Sequence, residues 1–260
     1  MRAKGIDISK WQQEFIFQNN IDFVIIKATE GWGIDPWYRE NLPEVMKCPI
    51  RGAYHYYRTA TDPIVQVDNF LSNAAHGDFH FLAVDYEAKN NTLDYNGAEN
   101  LLVMLSHLEL EQDLPVVLYT SPYIYRDNLR HWFADFDTFA LWLARYSGAD
   151  PETGNPTTGI VDRDWDLWQN TDELDGEEHG TSSDYVDGNV YDGTAEEMKV
   201  WLGIKEPEEE LGCHNTPCPT LQALIIATEE GFIEGDRQIE ELAKKLHDHP
   251  DFFRKWDLIT

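Results

Sequence analysis

Asp85 and Glu87 stand two residues apart at the end of the run Phe79-His80-Phe81-Leu82-Ala83-Val84. A short apolar run of this kind predicts a buried parallel strand. Side chains two apart on a strand share one side, with Cα atoms roughly 6.6 Å apart. Two carboxyl groups aimed into one site suit cleavage of a glycosidic bond. One donates a proton to the leaving oxygen, and the other handles charge or water across the bond. For an isolated D-x-E the plainer reading is a solvated strand end, so the surrounding elements have to decide.

Those elements alternate. Strand-like runs cover residues 4–8, 23–28, 51–56, 81–85, 116–119, 140–144, 166–168 and 186–190. Helical patterns cover 36–47, 63–75, 97–111, 122–132 and 195–202. Strand, helix, strand in sequence implies parallel pairing with helices outside, and eight strands suggest a closed (β/α) barrel. Residues 148–163 and 171–185 are rich in Gly, Asp, Thr and Ser and read as loops, so the barrel is expected to be irregular and flattened there. A catalytic barrel domain is expected over 1–204. An acidic linker follows over 205–212, then a small helical module over 213–260.

Active sites of such barrels sit at the C-terminal ends of the strands. Those ends carry Asp7, Lys27, Tyr56, Asp85 with Glu87, Tyr119, Trp142 running on to Tyr146, Trp168 and Asp187. Four carboxylates and several aromatics thus converge on one mouth. Aromatic planes can stack on the apolar faces of sugar rings. His55 reads as a hydrogen-bonded strand residue rather than a base, and Lys27 as a counter-charge to the acidic cluster.

The formal net charge of the 260 residues is -28. This argues against nucleic-acid binding, which wants a basic face, and against docking to anionic membranes. No stretch approaches the roughly 20 apolar residues of a membrane span. The N-terminus is expected to enter a strand at once, which would leave no room for a signal peptide. Cys48, Cys213 and Cys218 make no disulfide framework. The last two could close a small loop or half of a metal site, but no second half is visible, so no metal or cofactor is expected.

The ordered motifs resemble glycoside hydrolase family 25, the lysozymes (N-acetylmuramidases) of bacteria and phages. They are Gly5-Ile6-Asp7-Ile8-Ser9, residues 23–31, 52–58, 83–87, 118–121, 141–146, 165–170 and 186–191. The resemblance spans roughly residues 3–202. It implies a flattened (β/α)5(β)3 barrel and cleavage of the β-1,4 bond between N-acetylmuramic acid and N-acetylglucosamine in bacterial peptidoglycan. It also implies an acidic cluster of Asp7, Asp85, Glu87 and Asp187, with Glu87 as general acid. Tyr119, Trp142, Tyr56, Tyr146, Trp168 and Lys27 are the expected substrate contacts. The expected lack of a signal peptide would suit a phage lysin released from the host cytoplasm, or a bacterial enzyme exported by another route.

Two rivals remain at this point. One is a chitin-cleaving barrel, but its longer D-x-x-D-x-D-x-E strand is reduced here to the final pair, with Ala83 in place of an acid. The other is a non-catalytic carbohydrate-binding barrel, which lost acidic positions would favour. The C-terminal helices are expected to serve wall targeting or a homodimer.

Overall fold

The computed structural model describes residues 1–89 and 91–204. The expected linker, the Cys213 and Cys218 loop and the C-terminal helical module lie outside the described residues. The strands are β1 (Lys4–Ile8), β2 (Phe23–Glu30), β3 (Gly33–Ile34), β4 (Ile50–Tyr56), β5 (Phe81–Asp85), β6 (Val116–Thr120), β7 (Ala140–Ala144), β8 (Leu167–Asp175) and β9 (Tyr185–Tyr191). They run in the order β1-β9-β8-β7-β6-β5-β4-β2-β3, and β1 pairs with β2 to close the ring. The result is an eight-stranded barrel with β3 hanging outside it. The neighbouring pairs from β1–β2 round to β7–β8 are parallel. β9 alone runs against both its ring neighbours.

Alternation along each strand divides the core in two. Phe23, Ile25, Ile50, Phe81, Ala83, Val117 and Leu167 fill the barrel interior. The residues between them, such as Val24, Ile26, Leu82, Val84, Leu118 and Trp168, face the outer layer. Three helices dominate that layer: α1 (Tyr38–Val45), α2 (Pro63–Ala74) and α3 (Tyr95–Glu111). Asp62 caps α2 by accepting from the amides of Ile64 and Val65, and Pro63 supplies the preset φ of a first helical residue. Asp94 caps α3 through Gly97 N–H.

At the opposite end from the site, α5 (Ala195–Trp201) closes the barrel. Its Met198, with Leu202 beyond it, packs into the interior cluster that holds Phe23, Ile50 and Phe81, residues at or near the N-terminal ends of their strands. The helix is pinned by a capping box between Thr194 and Glu197.

Three local features differ from the sequence expectation. Residues 171–185 are not simply a loop: β8 runs on to Asp175 and forms an antiparallel ribbon with β9, interrupted by two register shifts. The exposed, acidic face of that ribbon hid its strand character. The helix expected over 122–132 splits into a turn, α4 (Pro122–Ile124), followed by wide π-type turns over Tyr125–Arg130. β3 was not anticipated either. It pairs with β2 through the two-residue turn Gly31-Trp32, in which Gly31 takes a φ of 54° that favours glycine.

Candidate active site

The two-residue period of the strands decides what reaches the cavity. Inward positions at the C-terminal ends are Asp7 on β1, Lys27 on β2, Tyr54 and Tyr56 on β4, and Asp85 on β5. Tyr119 on β6, Trp142 on β7, Gln169 on β8 and Asp187 near the start of β9 complete the set. Glu87 follows Asp85 on the same parity. Together they line a cavity of about 290 Å³. In the ring of eight, β9 and β5 lie opposite each other, so Asp187 faces Asp85 and Glu87 across the mouth. Asp7 is the register partner of Asp187 across the β1–β9 pair. Like charges directly opposite on paired strands oppose folding.

Asp7 is held by two amides. Gln169 Nε2 and Asn189 Nδ2 each donate to Asp7 Oδ2 at 2.8 Å. Both amides are themselves oriented. Trp142 Nε1 can only donate, and it donates to Asn189 Oδ1 at 2.8 Å, which turns the Asn189 NH2 toward Asp7. The hydroxyls of Tyr119 and Tyr146 donate to Gln169 Oε1 at 2.8 and 2.7 Å. Burial raises the Asp7 carboxyl, the two amides partly offset this, and the charge of Glu87 adds to it, leaving it at about 6.

The other carboxylates are less well served. Burial and then the charge of Glu87 hold Asp85 well above the usual carboxylate range. Its Oδ1 is buried without a hydrogen-bond partner among the described residues. Burial, then the charges of Asp7, Asp172 and Glu87, lift Asp187 to about 8. A cluster of this kind holds protons at neutral pH because the full set of charges is too costly in a poorly solvated site.

A separate group of charges sits beside it. Lys27 Nζ lies 2.5 Å from Glu30 Oε2, and Arg58 pairs with the other oxygen of Glu30. Burial pushes Glu30 up, but Lys27 and Arg58 outweigh it and hold its carboxyl below the ordinary range. Both cations stand over the Tyr56 ring, at 4.7 and 4.9 Å from its centroid. The Tyr56 hydroxyl donates to the Lys89 carbonyl at 2.7 Å. Among the described residues, no group of three or more His, Cys, Asp or Glu side chains could hold a metal ion.

The profile described as "Glycosyl hydrolases family 25" matches residues 6–179. The chain belongs to glycosyl hydrolases family 25. It is therefore a glycoside hydrolase. A curated relative, the uncharacterized protein YegX of Escherichia coli K12, is 29% identical over 215 residues, 78% of this chain and 74% of the relative. The fold is shared with a family 25 glycosyl hydrolase from Bacillus anthracis at TM-score 0.64 and 23% identity, covering 76% of this chain and 92% of that one. It is shared also with the catalytic domain of the endolysin ply40 from a Listeria monocytogenes phage, at TM-score 0.61 and 22% identity over 78% and 97% of the two chains. A family GH25 lysozyme from Aspergillus fumigatus aligns at TM-score 0.61 and 21% identity, over 77% and 98%.

In this family 25 hydrolase, the structure brings Asp7, Asp85, Glu87, Asp187, Tyr119, Trp142, Tyr56, Tyr146 and Lys27 to one cavity. Trp168 does not reach it. Trp168 has the opposite parity on β8, is fully buried in the outer layer against Trp165, and donates its indole N–H to the Arg145 carbonyl at 2.8 Å. Its neighbour Gln169 takes the inward place. Lys27 pairs with Glu30 rather than with the acidic cluster directly. His55 faces outward, buried between Thr29 and Gln66, and burial lowers it to about 4. Gln169, Asn189, Glu30 and Arg58 carry the support of the site. Strict counting by two from Leu167, Asp187 and Tyr54 is the signal that would have found Gln169, Asn189 and the inward face of β4.

Proposed function

We propose that this glycoside hydrolase is a lysozyme that cleaves the β-1,4 bond between N-acetylmuramic acid and N-acetylglucosamine of bacterial peptidoglycan, with net retention of configuration. The observation that carries the reading is the meeting of Asp85 and Glu87 with Asp7 and Asp187 in one aromatic-walled cavity of a family 25 chain. Solved structures of the same fold include an endolysin, a muramidase and a lysozyme.

The chemistry follows from the placement. Glu87 is more open to solvent than Asp85 and stands at the mouth, where a leaving oxygen can meet it. It acts as general acid, giving its proton to that oxygen as the glycosidic bond breaks. The carbonyl oxygen of the substrate's own 2-acetamido group attacks the anomeric carbon from the other face and forms a bicyclic cation. Water, deprotonated by Glu87, then opens that ring. Two displacements restore the β configuration. Asp85 Oδ1, a buried acceptor with no protein donor among the described residues, receives the acetamide N–H. Burial, and after it the charge of Glu87, raises Asp85, and the second of these is absent in the complex in which Glu87 is the neutral acid.

The test is the variant Glu87→Gln on unactivated peptidoglycan oligomers, with proton NMR of the first-formed anomer. Loss of the transferable proton should slow turnover by about 10²–10⁴-fold while binding survives. A first-formed α-anomer, or near wild-type turnover of Glu87→Gln, would overturn the scheme. Faster release of reducing ends from chitin than from peptidoglycan would overturn the substrate.

A further inference from the structure

The chain carries only 20 Lys and Arg against 48 Asp and Glu, yet four of those cations, Lys10, Lys27, Arg58 and Lys89, line the cavity of the acidic cluster. Their placement is one-sided. They belong to β1, β2, β4 and β5 or to the segments that follow these strands, and those four strands are neighbours in the ring. The remaining arc, β6 to β9, lines the cavity with Tyr119, Trp142, Tyr146, Gln169 and Asp187 and contributes no cation.

The four cations differ in what they already hold. Lys27 and Arg58 are spent on Glu30. Lys10 and Lys89 are exposed at the rim and make no ion pair with a carboxylate among the described residues. Such cations are few here. Among the described Lys and Arg residues, Arg39 and Arg145 alone share that condition, and neither lines the cavity. Most cations of a chain this acidic have a carboxylate close at hand. Two left unpaired at the mouth of a cavity are placed to meet charge that arrives with the substrate. Lys10 Nζ rests over the Trp11 ring at 4.9 Å from its centroid, which holds the ammonium at the rim beside an exposed aromatic plane.

We infer that Lys10 and Lys89 are an anion-recognition pair that takes the carboxylates of the lactyl-peptide substituents of the glycan, and so sets the preference of this enzyme for acidic over neutral glycan. The inference rests on the muramidase reading and deepens it. It gives the bound strand an orientation: its substituted, acidic edge lies over the β1, β2, β4 and β5 arc, and its sugar faces lie toward Tyr119 and Tyr146. Surface pairs of this type are individually weak, so two of them supply discrimination of about three- to tenfold, not an absolute requirement.

The experiment uses the full chain and soluble peptidoglycan oligomers free of wall phosphate polymers. One batch keeps its carboxylates, and a second has them converted to methylamides. The kcat/KM ratio between the batches is measured for the wild type, Lys10→Gln, Lys89→Gln and the double variant. The wild type should favour the acidic batch by about three- to tenfold in about 0.01 M salt. This preference should reside in KM and should shrink at about 0.15 M, as the Debye length falls from about 30 to 8 Å. The double variant should bring the ratio close to one. An equal ratio in wild type and double variant, or no wild-type preference, overturns the inference. Lysine dependence seen only on walls that retain phosphate polymers assigns the anion to phosphodiesters and overturns the carboxylate assignment. Wild type that releases no reducing ends from either batch overturns the muramidase reading itself, and that result is visible before any variant is made.

Discussion

Asp187→Asn should stabilise this protein, and by an amount that depends on pH. In the folded state burial and then the charge of Asp7, its register partner, raise Asp187 to about 8, against 3.8 for an ordinary aspartate. A carboxyl raised by folding contributes stability that is complete below pH 3.8 and is lost as pH rises through about 8. By pH 7 the unfolded chain has released this proton over roughly three pH units while the folded chain still holds it. At about 1.4 kcal/mol per unit this is a ceiling of about 4 kcal/mol. Asp187 is partly solvated and Asp7 beside it also titrates above the ordinary range, which brings the expected gain to about 2 kcal/mol. The Asp187 carboxylate accepts no hydrogen bond among the described residues, so the amide forfeits none. For a chain of this size, about 2 kcal/mol is roughly 4–8 °C in Tm. Thermal unfolding of wild type and variant at pH 4 and pH 7.5 measures it. The gap should be small at pH 4 and open by pH 7.5, while turnover on peptidoglycan falls. A variant less stable than wild type at pH 7.5, or an advantage equal at both pH values, would refute the assignment of a retained proton to this site.

Two further outcomes test the support of the site and the packing beneath it. Trp142→Phe removes the donor that turns the Asn189 amide, so Asp7 should rise further above about 6 and the pH profile of kcat/KM should shift upward, with a stability loss of about 1–3 kcal/mol; an unmoved pH profile would detach Asn189 from the control of Asp7. A methyl group at Gly52 would fall within the van der Waals envelope of the Phe81 ring inside the barrel, so Gly52→Ala should cost about 1–3 kcal/mol in urea unfolding, and no loss would contradict the packing of that layer.

The parts of this molecule that could be read from residues alone are those governed by local rules. Asp85 and Glu87 follow an apolar run with a two-residue period, and that period survives folding unchanged. Asp7 and Asp187 could be placed at strand ends by the same reasoning, but their pairing could not. It depends on β9 reversing direction and sealing the ring against β1, a contact between the two extremes of the barrel that neither segment encodes alone. The misplacement of Trp168 has a related cause. Parity along a strand is certain only relative to a known inward residue, and on β8 the bulky, apolar Trp168 and the polar Gln169 invite the wrong choice. The barrel buries the tryptophan in its outer layer and gives the inward position to an amide that donates to Asp7. A similar inversion hid the β8–β9 ribbon. Thr171-Asp172-Glu173-Leu174-Asp175 carries little apolar alternation because the ribbon extends past the core: Leu174 still packs on it, but Asp172, Glu173 and Asp175 are exposed. Chain segments whose hydrogen bonds are satisfied by a partner strand, rather than by burial, leave almost no trace in hydrophobic pattern. The site of this enzyme is built where those two kinds of segment meet: apolar strands deliver Asp85, Tyr119 and Trp142, and a closing strand, itself legible over 186–190 but paired with the illegible extension of β8, delivers Asp187 and Asn189.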